Sequence, residues 1–232
     1  MIITIDGPAG AGKSSTARAV AERMAFRYLD TGALYRAVAL AFVEADDTPT
    51  NANAQALLEA YTIDLQFDDE GTLHVMLNAS DVSAAIRTTE VGDMASHVAA
   101  LPAVREALLP VQRRIARRWS QTTGGVVADG RDTGTVVFPD AALKVFMEAS
   151  LDERARRRHE EYEAETEAET PSLESVREEI RRRDAHDRTR DLAPLRRPDD
   201  AVSIDTTAMT FEEQVEAIEA LIERVNAGTD PS

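Results

Sequence analysis

Near its start the chain reads Gly7-Pro8-Ala9-Gly10-Ala11-Gly12-Lys13-Ser14, followed by Ser15. This stretch fits the P-loop spacing G-x-x-x-x-G-K-[ST] at every fixed position. Glycines at those points let backbone amides curl around phosphate oxygens, and a helix N-terminus adds its partial positive charge. Lys13 is then placed for the β- and γ-phosphates of a nucleoside triphosphate, and the Ser14 hydroxyl for a magnesium ion. The context is right, since Met1-Ile2-Ile3-Thr4-Ile5 reads as a strand and Ala17, Ala19, Val20 and Met24 as a helix.

A P-loop by itself does not separate a kinase from a GTPase switch. The guanine-reading N-K-x-D is absent, and the only lysines are Lys13 and Lys144. Val126-Val127-Ala128-Asp129 is an apolar strand closed by a carboxylate, so Asp129 is expected to hold magnesium through water; a turn aspartate at a strand end is the plainer alternative. Asp30-Thr31-Gly32-Ala33-Leu34-Tyr35-Arg36 is a turn feeding a helix, with an arginine one turn in, which suits a phosphate on the acceptor or is purely structural. Arg183, Asp187 and Arg190 stand at i, i+4 and i+7, on one face if the segment is helical. Without further context that trio also fits a surface ion-pair ladder.

Charge is unevenly placed around them. His159 to Ile180 carries nine acids and one arginine, which reads as a solvated helical face. Arg181 to Arg197 holds seven arginines against three aspartates. Cations gathered in so acidic a chain point to an anionic ligand.

The elements that must position these residues alternate, as in a parallel α/β sheet flanked by helices. Strands are expected at 1–5, about 27–29, 125–129, 143–147 and 201–205. Helices are expected to start near Ser14, Gly32, Thr88, Pro102, Leu151, Ser172 and Thr210, the last with a capping box formed with Glu213. Residues 62–83 break the alternation. Thr62–Phe67 and Thr72–Leu77, separated by Asp68-Asp69-Glu70-Gly71, read as a hairpin; Asn78–Asp81 supplies a further turn, after which a third short strand is expected.

The P-loop, D-T-G-x-L-Y-R, A-D-G-R-D-x-G-T-V-V-F-P-D-A and R-D-x-x-D-R-x-R-x-x-A-P-L occur in this order. Together they resemble the signature stretches of bacterial cytidylate kinases, from Ile2 to about Thr207. The resemblance implies one kinase domain over 1–232, an acceptor-binding part at 32–105 with a β insertion at about 62–83, and a helical, arginine-rich lid at about 151–195. It implies ATP as phosphoryl donor, Mg2+ as cofactor, and CMP and dCMP as acceptors. Thr31 and Arg36 are then expected near the ribose and phosphate, and Ser96, Arg105 and Asp132 at the cytosine ring. Arg131 is expected to bind phosphate, while Arg183, Asp187 and Arg190 close over the ribose and phosphates. Thr31 stands where some members carry serine, and Trp119–Gly125 looks longer than the corresponding connection in some relatives.

Chemistry agrees with those expectations. A carboxylate such as Asp132 accepts from the cytosine amine but faces an oxygen in uracil. Lys13, Arg131, Arg183 and Arg190 are the expected charge-neutralising groups. No base is needed, because a phosphate acceptor with a second pKa of roughly 6 is mostly dianionic at pH 7. The alternatives are a P-loop kinase for another small molecule such as UMP, AMP or a sugar acid, and a P-loop switch that binds a protein. For the adenine ring, Asp205-Thr206-Thr207 with Arg154 and Arg158 are the plausible lining.

Composition narrows the classes further. Cysteine is absent, which excludes disulfides and thiolate metal sites. No apolar run approaches the about 20 residues that span a bilayer, and no signal-peptide pattern opens the chain. A cytoplasmic, monomeric enzyme is expected, with no membrane or nucleic-acid partner, because a formal net charge of -16 opposes binding to phosphate backbones. That charge reflects either codon bias, all but two of the 26 basic residues being arginine, or a salt-adapted surface. If it is salt adaptation, the melting temperature should rise steadily from low to molar KCl as like charges are screened. A flat or falling melting temperature across that series returns the acidity to codon bias.

Overall fold

The apolar, β-branched run at the start of the chain has no polar face to offer solvent, so it belongs in the middle of a covered sheet. The computed structural model, which describes residues 1–68, 72–165 and 170–229, places it there. In chain order the elements are β1 (Ile2–Asp6), α1 (Lys13–Arg23), β2 (Arg27–Asp30), α2 (Thr31–Glu44), α3 (Asn51–Ala60), β3 (Ile63–Phe67), β4 (Leu73–Leu77) and β5 (Ser80–Asp81). They continue with α4 (Thr89–Val98), α5 (Pro102–Thr123), β6 (Val126–Gly130), β7 (Leu143–Glu148), α6 (Leu151–Glu165), α7 (Leu173–Thr189), β8 (Val202–Asp205) and α8 (Phe211–Asn226). The chain divides into two compact units, one formed by Met1–Leu29 with the residues from Thr123 onward, the other by Asp30–Thr122.

The first unit is built on a five-stranded sheet in the order β2-β6-β1-β7-β8. β1 runs parallel to both neighbours, with Ile3 opposite Val127 on one side and Leu143 on the other. Ile3, Ile5, Val126, Val127, Val145 and Met147 are almost wholly buried. Helix α8 carries an apolar stripe of Val215, Ile218, Leu221 and Ile222, the i, i+3, i+7 spacing of a helix laid on a core. Its capping box forms as expected: Glu213 Oε2 accepts from the Thr210 amide at 2.7 Å, and Thr210 Oγ1 accepts from the Glu213 amide at 3.3 Å. Helices α6 and α7 make a hairpin closed around Ala155, Val176 and Ile180, with Leu151 and Tyr162 packed against them. The acidic run read as a helical face supplies the end of α6 and the start of α7, and its residues 166–169 lie outside the described residues.

The second unit joins α2–α5 to a separate sheet, β3-β4-β5. β3 and β4 pair antiparallel with Leu65 opposite Val75. Ile63, Leu65, Val75 and Leu77 point inward, which is the alternation that gave the hairpin away. Phe67 meets the Trp119 ring edge-on at 4.9 Å. His74 on β4 lies between two carboxylates, Nδ1 at 2.6 Å from Asp81 and Nε2 at 3.0 Å from Asp68. Hydrogen bonds to Asp68 and then Asp81 raise the pKa of the imidazole, so it pins β4 to the strand ends on both sides. Of the expected tip, Asp69, Glu70 and Gly71 lie outside the described residues.

Three readings need correction. Helix α3 was not foreseen: its Asn-Ala-Asn-Ala-Gln sequence has one buried residue, Ala54, and is started by the Thr50 hydroxyl. The third short strand falls at Ser80–Asp81, inside the stretch read as a turn. Most of Trp119–Gly125, read as a connection, is the last turn of α5, which runs to Thr123.

Candidate active site

The loop between β1 and α1 turns on Gly7, Gly10 and Gly12, whose φ angles are 149, 76 and 88°. Gly7 has a second reason to lack a side chain, since a Cβ there would stand 2.0 Å from the Met147 carbonyl oxygen. Loop carbonyls find donors in the surrounding elements. Ala9 O accepts from Arg154 Nη1 at 3.0 Å and Ala11 O from Thr206 Oγ1 at 3.2 Å. A peptide unit is planar and trans, so its N–H points opposite to its C=O. Drawing those two carbonyls into the protein therefore turns the Gly10 and Gly12 amides the other way, toward the loop's concave side. Behind Gly12 stands Gln214, which accepts from Thr16 Oγ1 at 3.1 Å.

Lys13 is 5% exposed and donates to the Pro8 carbonyl at 2.6 Å. Burial and then the nearby charge of Arg131 push its ammonium well below the ordinary lysine value, against the opposing pull of Asp129 and Asp6. A phosphate at the loop would add countercharge. Ser14 Oγ donates to Asp129 Oδ2 at 2.6 Å, and Tyr28 donates to Asp129 Oδ1 at 2.9 Å. A hydroxyl beside a carboxylate is a hard-oxygen donor set that fits magnesium. Among the described residues no group of three His, Asp or Glu could hold a metal by itself. A magnesium ion here would draw its remaining ligands from nucleotide phosphates and water.

After β6 the chain turns through Arg131 and Asp132 into a π-helical turn at Thr133–Val137. Arg131 Nε donates to Asp187 Oδ2 at 2.8 Å. Asp132 Oδ1 lies 3.6 Å from Arg190 Nη2, and Asp187 Oδ1 lies 4.0 Å from Arg190 Nη1. Burial alone would raise the Asp187 carboxyl, but Arg131, with Arg183 and Arg190, holds it below its ordinary value. Arg183 also acts on Lys13, so four cations share one electrostatic neighbourhood. Arg190, however, is not on the helix: α7 ends at Thr189, and Arg190 is extended at φ -61, ψ 141. Its Nε donates to the Ala193 carbonyl at 2.7 Å, and its charge returns to Asp187 from the irregular segment that follows the helix.

In the second unit Thr31 is the first residue of α2, buried behind the Asp30 cap, whose carboxylate accepts from the Ala33 amide at 2.9 Å. Arg36 is half-buried on the same helix, and Ser96 is half-buried on α4, which packs against α2. Arg105, at the start of α5, donates to the Ala99 carbonyl at 3.2 Å and stands 5.8 Å from the Tyr35 ring centre.

Sequence reasoning missed several residues. Asp6 accepts from the Thr133 amide at 2.9 Å, the Thr133 hydroxyl at 2.7 Å and the Gly134 amide at 2.7 Å, and so fixes the loop that follows Asp132. Tyr28 steadies Asp129. The only signal for Asp6 was a polar group at the end of an otherwise apolar strand, and Tyr28, inside β2, carried none. Arg154 and Arg158, offered as plausible adenine lining, are both engaged with the protein. Arg154 is buried behind the P-loop, and Arg158 turns to Glu161 at 2.8 Å and stacks 4.4 Å from the Tyr162 ring centre. It is Arg157 that reaches Thr206, donating to its carbonyl at 2.6 Å.

The profile described as cytidylate kinase matches residues 3–224. The chain belongs to the cytidylate kinase family. It is similar to the cytidylate kinase of Salinibacter ruber, with 52% identity over 98% of this chain and 97% of that one. It is similar also to the cytidylate kinase of Carboxydothermus hydrogenoformans, with 46% identity over 97% and 99%. Family membership accounts for the order of the four motifs and extends past the last of them into α8. Among the described residues no helix of this cytidylate kinase family member is long and apolar enough to cross a membrane.

The depressed Lys13 ammonium has a consequence for stability. Between its folded value and the ordinary 10.5, the unfolded chain binds the extra proton, so this group's contribution to stability increases as pH rises through that window. Lys13→Met should therefore melt a few degrees higher than the wild type at pH 7 without nucleotide, with the gap narrowing toward pH 10. It should bind ATP at least tenfold more weakly throughout. A Lys13→Met protein less stable than wild type at pH 7, measured by calorimetry, removes the strained-cation description.

Proposed function

We propose that the chain transfers the γ-phosphoryl group of ATP to the phosphate of CMP, and of dCMP, by direct in-line displacement. An acceptor phosphate oxygen attacks the γ-phosphorus, its bond to the β–γ bridging oxygen breaks, and ADP leaves. The observation that supports this best is the gathering of Lys13, Arg131, Arg183 and Arg190 around the P-loop and the Asp132 loop. Such a set suits charge neutralisation across a transferring phosphoryl group. A phosphorylated acceptor also brings its own nucleophilic oxyanion, so no general base is called for.

The loop residues Gly7 to Ser15 are assigned to the triphosphate. Ser14 and Asp129 are assigned to Mg2+, which supplies further charge neutralisation at the β- and γ-oxygens when bound. Arg131, Arg183, Asp187 and Arg190 are assigned to acceptor phosphate and ribose, and Asp132 to the cytosine amine. In the second unit Thr31, Arg36, Ser96 and Arg105 are assigned to the acceptor, within a kinase domain spanning 1–232 whose acceptor part includes the β insertion. The α6–α7 hairpin is assigned the part of a lid that excludes water during transfer. The enzyme is proposed to act as a cytoplasmic monomer. CMP is favoured over UMP because a buried carboxylate can only accept hydrogen bonds, and uracil presents an oxygen where cytosine presents its amine.

An ATP-coupled assay over CMP, dCMP, UMP, AMP and GMP should give the highest kcat/KM for the two cytidine nucleotides. Hydrogen bonds to charged groups are worth roughly 1.5–3 kcal/mol. Asp132→Asn should therefore lower kcat/KM for CMP by about one to two decades. UMP should fall much less, or rise, because the amide can turn its NH2 toward uracil. A CMP/UMP ratio unchanged by the substitution removes Asp132 from base recognition, and a wild type that prefers AMP or UMP overturns the substrate.

A further inference from the structure

One buried ion pair beside the site has no part in the assignments above. Arg154 lies near the start of α6 with its side chain 6% exposed, and its guanidinium divides among three acceptors. Nε donates to the Ala149 carbonyl at 3.0 Å, Nη1 to the Ala9 carbonyl of the P-loop at 3.0 Å, and Nη2 pairs with Asp184 Oδ2 at 2.8 Å. Asp184 sits on α7, next to Arg183 and one turn before Asp187. Its side chain is 9% exposed, and its Oδ1 is buried without a hydrogen-bond partner among the described residues. Contact at the loop is tight: a Cβ on Gly10 would stand 3.0 Å from Arg154 Cβ and 3.2 Å from its carbonyl oxygen.

We infer that Arg154 is a positioning residue for phosphoryl transfer, which holds the P-loop and the arginine-bearing helix α7 in one fixed relation. Two consequences follow from its three bonds. The bond to Ala9 keeps that carbonyl turned away from the phosphates, and with it the Gly10 amide turned toward them. The bond to Asp184 ties the same guanidinium to the backbone that carries Arg183 and Asp187. The cations assigned to the acceptor are thereby placed with respect to the loop assigned to the donor. A buried ion pair contributes little net stability, because desolvation offsets most of the Coulomb gain. Its value here is directional. Only a planar fork meets three acceptors at once, and a lysine ammonium on a flexible stem does not reproduce it. The inference rests on the phosphoryl-transfer reading for what Arg183 and Asp187 bind, whereas the loop half of it concerns ATP alone.

The two halves separate by substitution in the full-length enzyme. Arg154→Lys should weaken ATP binding about ten- to a hundredfold in calorimetry without acceptor, and should also lower kcat. Asp184→Asn frees only α7, so ATP affinity should stay within about twofold, while kcat/KM for CMP falls about tenfold. If both variants bind ATP and turn over as the wild type does, with only the melting temperature reduced, Arg154 is a structural strut and the inference fails. Should Arg154→Lys not fold, the pair Arg154→Met/Asp184→Leu removes both buried charges together and is expected to fold with ATP affinity still reduced. Wild-type ATP affinity in that protein overturns the inference. Because ATP binding is read without an acceptor, a failure of CMP to react does not affect the outcome at the loop.

Discussion

A loop that binds phosphate through backbone amides must turn the partner carbonyls somewhere else, and a buried carbonyl without a donor costs about 1–3 kcal/mol. Much of the first unit can be read as the answer to that requirement. Arg154 meets the Ala9 carbonyl, and Thr206 meets that of Ala11 while bonding back to the Glu148 carbonyl at 3.1 Å. The helix amide of Thr16 and the Ser15 hydroxyl take that of Gly12, at 3.0 and 2.9 Å. These donors come from α6, from the residue after β8 and from α1 itself. The sheet, in placing β7 beside β1 and β8 beside β7, delivers the first two of these to the loop.

A second requirement is electrostatic. A chain with a formal net charge of -16 nevertheless packs Lys13, Arg131, Arg183 and Arg190 into one neighbourhood, where they repel one another. They are balanced by the protein's own carboxylates: Asp187 and Asp132 face the arginines, and Asp129 and Asp6 lie near Lys13. These pairings are long at Arg190, at 3.6 and 4.0 Å. They are close where the loop must be fixed, as in the two amides held by Asp6. The protein thus sets internal anions against its internal cations.

What could be read in the sequence was whatever is written in consecutive residues. The P-loop, the β6 strand with Asp129 at its end, the Thr210 capping box and the Thr62–Leu77 hairpin each declare themselves by local spacing. The parts played by Asp6, Tyr28, Arg154 and Thr206 could not be seen in this way. Each acts on a partner roughly 100 or more positions distant, and a lone aspartate or arginine carries no mark of such a partner. Arg190 was misplaced for a different reason: the i, i+4, i+7 count continued past Thr189, while the chain had already left the helix toward Ala193, at φ 44. Helix α3 escaped because a helix with one buried residue has almost no apolar period to detect.

The order of strands also governs when the phosphate cradle can exist. β1 comes before its sheet neighbours, which begin at Val126 and Leu143, and the hydroxyl that meets the Ala11 carbonyl belongs to residue 206. In synthesis from the N-terminal side, residues 7–14 therefore stay without these supports until the chain has been made as far as residue 206. Contacts of such sequence separation form late, because the closure entropy of the intervening loop must be met first. The shape of the loop thus depends on a distant segment: a chain truncated before Thr206 retains every residue of the glycine-rich motif but lacks the hydroxyl that meets the Ala11 carbonyl.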